Sequence, residues 1–284
     1  MDILVTGGNG FIGSNLIKKL RREGHYVVSI DNLSSGTKEN VILGANYIYT
    51  DVNNIDKIDL QVDLVFHLAA LSRIQPSYNN PHETFKSNVI GTEKVMEWAR
   101  LRNTKVVYAG SSSKHHNPYQ SPYASYKYLG EEVIKTYKKV YGVNAEIARF
   151  YNVYGPNEIV GDQDNDNAAV IGIWRDQINK GLPITIVGDG EQRRDFTHVD
   201  DIVDGLWRIG MKNEKHEDGW ELGSGKNYSI NELYEMFKAK FNCTCKYIPD
   251  QPGNYLSTLQ INKDPQERLG YKPQDRLKQY IKSL

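Results

Sequence analysis

The chain has 284 residues, and its 35 Lys plus Arg balance 35 Asp plus Glu. Such a balance offers no cationic field for a polyphosphate backbone, so no nucleic acid partner is expected. No apolar run nears the ~20 residues a membrane span needs, so no membrane partner is expected, while 39% hydrophobic residues suffice for a packed core. Met1-Asp2-Ile3-Leu4-Val5 has no basic region ahead of an apolar one, so no secretory signal is expected and a cytoplasmic location is. Cys243 and Cys245 are poorly spaced to staple loops, suit a reducing compartment, and make a poor zinc site without neighbouring histidines.

Ile3-Leu4-Val5 predicts a short strand that ends in glycines. Helical periodicity follows over Phe11–Arg22, with Ile12, Leu16, Ile17 and Leu20 on one face, and Gly24 closes it. Residues 27–30, 47–49 and 64–66 read as strands, 83–101 as a long helix, and 106–108 as a further strand. A helix is predicted from about residue 125 to 141, then a strand over Ala145–Phe150. Strands alternating with helices predict an α/β fold with a parallel sheet covered on both faces. Past Gly155-Pro156 the texture changes. Residues 157–168 read as a polar, acidic loop, 169–180 as a helix, 182–187 as a strand, and Gly188-Asp189-Gly190 as a turn. Helices are predicted over Val199–Met211 and Ile230–Phe241, the latter with Ser229 as N-cap.

Thr6-Gly7-Gly8-Asn9-Gly10-Phe11-Ile12-Gly13 lies between the first strand and the first helix, where a dinucleotide fold seats its pyrophosphate. Glycines let the backbone turn sharply and approach phosphates, and the helix N-terminus attracts their charge. Gly8, Gly10 and Gly13 satisfy G-x-G-x-x-G; Gly7, Gly10 and Gly13 satisfy G-x-x-G-x-x-G. Either spacing alone is weak, and a bare tight turn is the competing reading; the strand–loop–helix context favours the ligand. Asp31 ends the second strand, where a carboxylate accepts hydrogen bonds from an adenosine ribose and repels a 2′-phosphate. That favours NAD over NADP, though Lys38 nearby keeps NADP open and an ordinary turn aspartate is the plainer reading. The expected organisation is a Rossmann-type, doubly wound NAD-binding domain over residues 1–155, with a later contribution from about 190–222. Residues 156–189 and 223–284 are expected to form a smaller mixed α/β substrate-binding cap.

Tyr123 and Lys127 sit four apart at a helix start, on one face. A free tyrosine titrates near ~10, too high for a base at neutral pH, and a neighbouring lysine cation lowers that value. A hydroxyl from Ser111-Ser112-Ser113, at the carboxyl end of a strand, completes a proton-transfer site. In a lysine-rich chain the plainer reading of Tyr-x-x-x-Lys is a surface pair.

Together these features resemble the extended short-chain dehydrogenase/reductase family, in its nucleotide-sugar epimerase and dehydratase branch. The resemblance runs through Thr6 to Gly13, Asp31-Asn32-Leu33-Ser34-Ser35-Gly36, His67-Leu68-Ala69-Ala70, Asn88 to Thr92, Ser111 to Ser113, Ser121 to Lys127, Arg149 to Pro156 and Gly188 to Phe196. It implies catalysis by Tyr123, Lys127 and either Ser111 or Ser112. It implies NAD held by Gly7, Gly10, Phe11, Ile12, Gly13, Asp31, Asn32, Ser35, Gly36, Asp51, Val52, Leu68, Ala69, Ala70, Asn88 and Tyr151, besides Tyr123 and Lys127. For a nucleoside-diphosphate sugar it implies Ser72, Asn152, Gln192 and Arg194, whose guanidinium fork suits phosphate oxygens; an Arg194–Asp195 ion pair is the plainer reading. A homodimer through the helices at 83–101 and 125–141 is also implied, with Val95, Met96, Trp98, Val133, Ile134 and Tyr137 as apolar residues in excess of one face.

The chain departs from that branch in three places. The stretch from Ser111 to Tyr123 is short, and Lys114-His115-His116 replaces an aliphatic-Tyr-Gly sequence. Adjacent histidines point apart, so no metal is expected. The serines stand where 4,6-dehydratases of the branch carry Thr-Asp-Glu, which argues for epimerisation over dehydration. Gln251 stands where a phosphate-gripping arginine is usual, leaving Arg268 as a substitute or a structural residue. The expected activity is epimerisation at C4, on a substrate of the UDP-glucose/UDP-galactose or UDP-N-acetylhexosamine type. A 4,6-dehydratase, a 3,5-epimerase or reductase, and a non-catalytic NAD-binding module are the alternatives.

Overall fold

The computed structural model describes residues 1–161 and 168–284; residues 162–167, within the loop expected at 157–168, lie outside the described residues. The strands in chain order are β1 (Asp2–Thr6), β2 (Tyr26–Asp31), β3 (Asn46–Tyr49), β4 (Leu64–His67), β5 (Lys105–Ser111), β6 (Ala145–Phe150), β7 (Asn152–Tyr154), β8 (Ile184–Val187), β9 (Arg193–His198), β10 (Trp220–Leu222), β11 (Asn227–Ser229) and β12 (Cys245–Ile248). The helices are α1 (Phe11–Arg22), α2 (Ile74–Asn79), α3 (Pro81–Phe85), α4 (Gly91–Arg102), α5 (Pro122–Tyr141), α6 (Val170–Asn179), α7 (Val199–Met211), α8 (Ile230–Phe241) and α9 (Leu277–Ser283).

Seven strands pair in parallel in the order β3-β2-β1-β4-β5-β6-β10. Ile3, Leu4 and Val5 are fully buried, as a strand covered on both faces requires. One face packs on α1 and α7 through Leu16, Ile17, Leu20, Ile202 and Leu206. The other packs on α4 and α5 through Val95, Met96, Trp98, Ile134 and Tyr137. These last five residues, read in the sequence as a surplus for a subunit interface, are thus buried inside the chain itself. The chain winds outward from β1 to β3, then returns to lay β4 on the other side of β1. This is the Rossmann-type doubly wound arrangement, and its reversal between β1 and β4 opens a crevice at the strands' carboxyl ends. A third core joins Trp174 of α6, Ile184 and Ile186 of β8, Phe196 of β9 and Leu233 and Phe237 of α8. Two small sheets, β7-β9-β11 and β8-β12, belong to this part. Among the described residues, no helix is long and apolar enough to cross a membrane.

Two helices differ from expectation in ways that matter for the site. The predicted 83–101 helix starts at Pro81 and contains a π-helical turn, Lys86–Ile90, between α3 and α4. Helix α5 starts at Pro122 rather than near 125, because Ser121 Oγ accepts the Ala124 N–H as N-cap and proline suits the first helical position. Tyr123 therefore lies inside the first turn.

Candidate active site

A cavity of about 560 Å³ runs from the glycine loop, past the carboxyl ends of β1, β4 and β5, to β7, β9, α6 and residues 251–258. Gly7 holds a φ of +75°, and a Cβ at Gly13 would lie 2.1 Å from the Gly7 carbonyl oxygen. Only glycine fits this approach of loop to helix. No side chain caps α1 at Gly10 and its first turn carries no acid, so no carboxylate of its own competes with an anion for its leading N–H groups. That uncapped, glycine-lined helix start fits the pyrophosphate of NAD. Asp31 also lines the cavity, and its carboxylate accepts the N–H of Asn9 at 2.9 Å and of Leu33 at 2.7 Å. Asn32 donates to Asp51, whose other oxygen caps the turn that begins at Val52. Burial works against the Asp51 charge, but bonds from Asn53 and Asn32 hold its pKa below the usual value.

Phe11, Ile12, Ser35, Leu68, Ala69, Ala70 and Tyr151 also line the cavity. Two predicted cofactor residues stand behind its wall instead. Asn88 accepts the Leu71 N–H at 2.8 Å and donates to the Leu71 carbonyl at 2.9 Å, so it fixes the 68–72 loop. Gly36 backs the glycine loop, where a Cβ would lie 2.8 Å from the Asn9 carbonyl carbon.

At the far end the Tyr123 hydroxyl donates to Ser111 Oγ at 3.3 Å, and the Tyr123 N–H is held by Ser77 Oγ at 3.1 Å. Ser112 and Ser113 share this wall. Lys127 Nζ donates to the Ala109 carbonyl at 2.6 Å and to the Tyr108 hydroxyl at 3.5 Å. Burial pushes the Lys127 pKa down to about 8, against the pull of Glu131. The Tyr123 phenol is pushed up by burial, while Ser111 and then Arg73 oppose the rise. The expected lowering by Lys127 is therefore corrected: the cation acting on the phenol is Arg73, and the net direction is upward.

Behind the serines, Tyr151 donates to Glu221 at 3.0 Å. Glu221 is shared with Arg149 at 2.8 Å and with His115 at 3.0 Å. Arg149 is fully buried and also bonds Glu131 and Asp218. His116 stacks on Tyr255, ring centroids 4.0 Å apart and 12° from parallel.

Ser72, Asn152, Gln192 and Arg194 line the cavity as expected of substrate contacts. Asp195 bonds Thr197, Ser224, Gly225 and Gln260, while Arg194 donates to the Arg193 carbonyl, so the two form separate structures rather than an ion pair. Burial pushes the Arg194 pKa down to about 10. Arg268 is elsewhere: it bonds Glu214 and the Lys215 carbonyl and lies 4.8 Å from the Trp220 ring centroid. Its reading as a substrate residue is replaced by a structural one.

Among the cavity-wall residues not singled out from the sequence are Arg73, Glu158 and Tyr255. Each is an isolated polar residue in an irregular stretch, delivered by tertiary packing. The Glu158 carboxylate is buried and makes no close hydrogen bond among the described residues, the backbone of Gly155 and Gly172 interacting with it only weakly. Burial pushes its pKa up to about 7, with Arg73 opposing.

Known proteins are similar to this chain in sequence and fold. The model of the NAD dependent epimerase/dehydratase family matches residues 3–223. The chain belongs to that family, and it is an NAD-dependent enzyme of it. It is 36% identical to a Methanocaldococcus jannaschii protein named "Putative UDP-glucose 4-epimerase", over 99% of this chain and 96% of that one. It is 29% identical to UDP-glucuronic acid decarboxylase 1 of Arabidopsis thaliana, over 98% of this chain and 68% of that one. The crystal structure of a Thermotoga maritima UDP-glucose 4-epimerase with UDP-glucose superimposes with a TM-score of 0.91, at 27% identity, covering 99% of this chain and 96% of that one.

Proposed function

We propose that the chain interconverts nucleoside-diphosphate sugars that differ in configuration at C4. The observation that supports this most is the Tyr123 hydroxyl, held on Ser111 in a cavity continuous with the glycine loop at one side and Arg194 at the other. NAD, when bound, supplies a hydride acceptor that can return what it takes. Tyr123 takes the C4 hydroxyl proton and later gives it back. Ser111 orients the phenol, and Lys127, anchored on Ala109, stands in the same wall to hold the bound ligand. Arg194 and Asn152 hold the diphosphate, so that remote binding energy positions the sugar. The epimerases among the similar proteins agree with this reading.

A second reading has one observation in its favour. Elimination of water needs an acid for the departing hydroxyl, and Glu158 is a buried carboxyl in the wall with a pKa near 7. One experiment separates the two. UDP-, GDP-, CDP- and dTDP-sugars are incubated with the enzyme in heavy water and followed by chromatography with mass spectrometry. A new species of unchanged mass without deuterium at carbon is expected. Deuterium at carbon would mean enolisation at C3 or C5, and loss of a water mass would mean a dehydratase.

A further inference from the structure

Residues 251–258 form part of the cavity wall, to which they contribute Gln251, Asn254, Tyr255 and Thr258. The segment is pinned at both ends. Gln75 of α2 donates to the Pro252 carbonyl at 2.8 Å. The Arg193 N–H of β9 donates to the Leu256 carbonyl at 2.8 Å, and the Thr258 N–H returns a bond to the Arg193 carbonyl at 3.1 Å. Tyr255 is thus fixed beside the strand that carries Arg194.

The residue is 9% exposed, yet among the described residues its hydroxyl makes no close hydrogen bond, Ser113 interacting with it only at longer range. A buried phenol normally finds one. The ring is well anchored, lying flat on His116. Three of the polar groups that act on its proton line the reaction cavity: Tyr123 favours the neutral form, and Ser113 and Arg194 the ionised one. Burial is the largest influence and pushes its pKa up to about 12, so the phenol is a neutral donor at physiological pH. Arg194 bonds one backbone carbonyl through Nη1 and lines the same cavity. A neutral donor beside a guanidinium suits an anion that needs one more hydrogen bond.

We propose that Tyr255 is a substrate-binding residue whose hydroxyl donates to the β-phosphate of the nucleoside diphosphate, alongside Arg194, with His116 as the platform that orients its ring. This rests on the nucleotide-sugar reading of the cavity. It gives His116 a positioning role and leaves the chemistry at C4 to Tyr123.

The test is titration of the NAD-loaded protein with UDP, UMP and UDP-glucose, in wild type and in Tyr255→Phe, which keeps the stacked ring. UDP and UDP-glucose are expected to bind the variant about tenfold more weakly, with UMP unchanged because it lacks the β-phosphate. His116→Ala is expected to weaken UDP in the same way, and His116→Phe to restore it. Equal UDP affinity in wild type and Tyr255→Phe would overturn the proposal, as would a loss confined to UDP-glucose. A wild type that binds UDP with the expected Tyr255 dependence, yet epimerises none of the sugars, would overturn the C4 reading alone. A wild type that binds none of UDP, GDP, CDP and dTDP would overturn both.

Discussion

Tyr123 must give up a proton from a buried position, where desolvation favours the neutral phenol. Turnover is therefore expected to rise with pH through neutrality, and a pH–rate profile flat over that range would contradict Tyr123 as the base. Tyr123→Phe should lower kcat by about 10²–10⁴-fold while bound NAD, read by its absorbance, is retained. Ser111→Ala should cost more in kcat than Ser113→Ala, since Ser111 receives the phenol's hydrogen bond. Glu158 makes a separate prediction about stability. Its folded-state pKa of about 7 stands above the ordinary 4.5, so the folded protein binds the extra proton in between and loses stability as pH rises through that window. The penalty is absent below the lower value and complete above the upper one, at about 3 kcal/mol. Glu158→Gln should match the wild-type melting temperature at pH 4.5 and exceed it by several degrees at pH 8. The Tyr123–Lys127 pair was legible because helix spacing puts both on one face. Arg73, Glu158 and Tyr255 were not, because their meaning lies in neighbours distant along the chain.

At the scale of elements, Arg149 is the tie between α5, β6 and β10. It reaches Glu131, Asp218 and Glu221 from a fully buried position. Arg149→Met should destabilise the fold by about 3–5 kcal/mol in chemical denaturation, because Glu131 loses its buried ion-pair partner and Glu221 is left with His115 and Tyr151 alone. It should also loosen Tyr151, which rests on Glu221. Helix α8 carries a capping box, in which Ser229 accepts the Glu232 N–H and Glu232 accepts the Ser229 N–H. Its start was readable in the sequence from Ser229 as N-cap, and Ser229→Ala should cost about 1 kcal/mol. Strand β9 was not readable. Arg193-Arg194-Asp195 has the composition of a surface loop, and it becomes a strand because Asp195 finds buried partners in residues 224, 225 and 260. The π-helical turn before α4 escaped notice because one extra residue leaves the apolar pattern of a long helix nearly intact.

At the scale of the whole molecule, the cavity draws its walls from the sheet and from the later segments β7, β9, α6 and 251–258. A ligand that fills it ties these parts together. UDP at about a hundred times its dissociation constant should add about 2.7 kcal/mol to the NAD-loaded protein, seen as a rise in melting temperature. The alternation of strands and helices made the sheet legible, but not how the later segments close over it. Among those segments, β10 completes the sheet against β6 and α7 covers one of its faces. When the chain emerges from a ribosome, β6 precedes its outer neighbour by about 70 residues. At about 5–20 residues per second the nascent sheet keeps an open edge for roughly 4–14 s. A chaperone that guards exposed strand edges thus has its moment between the synthesis of residues 150 and 222.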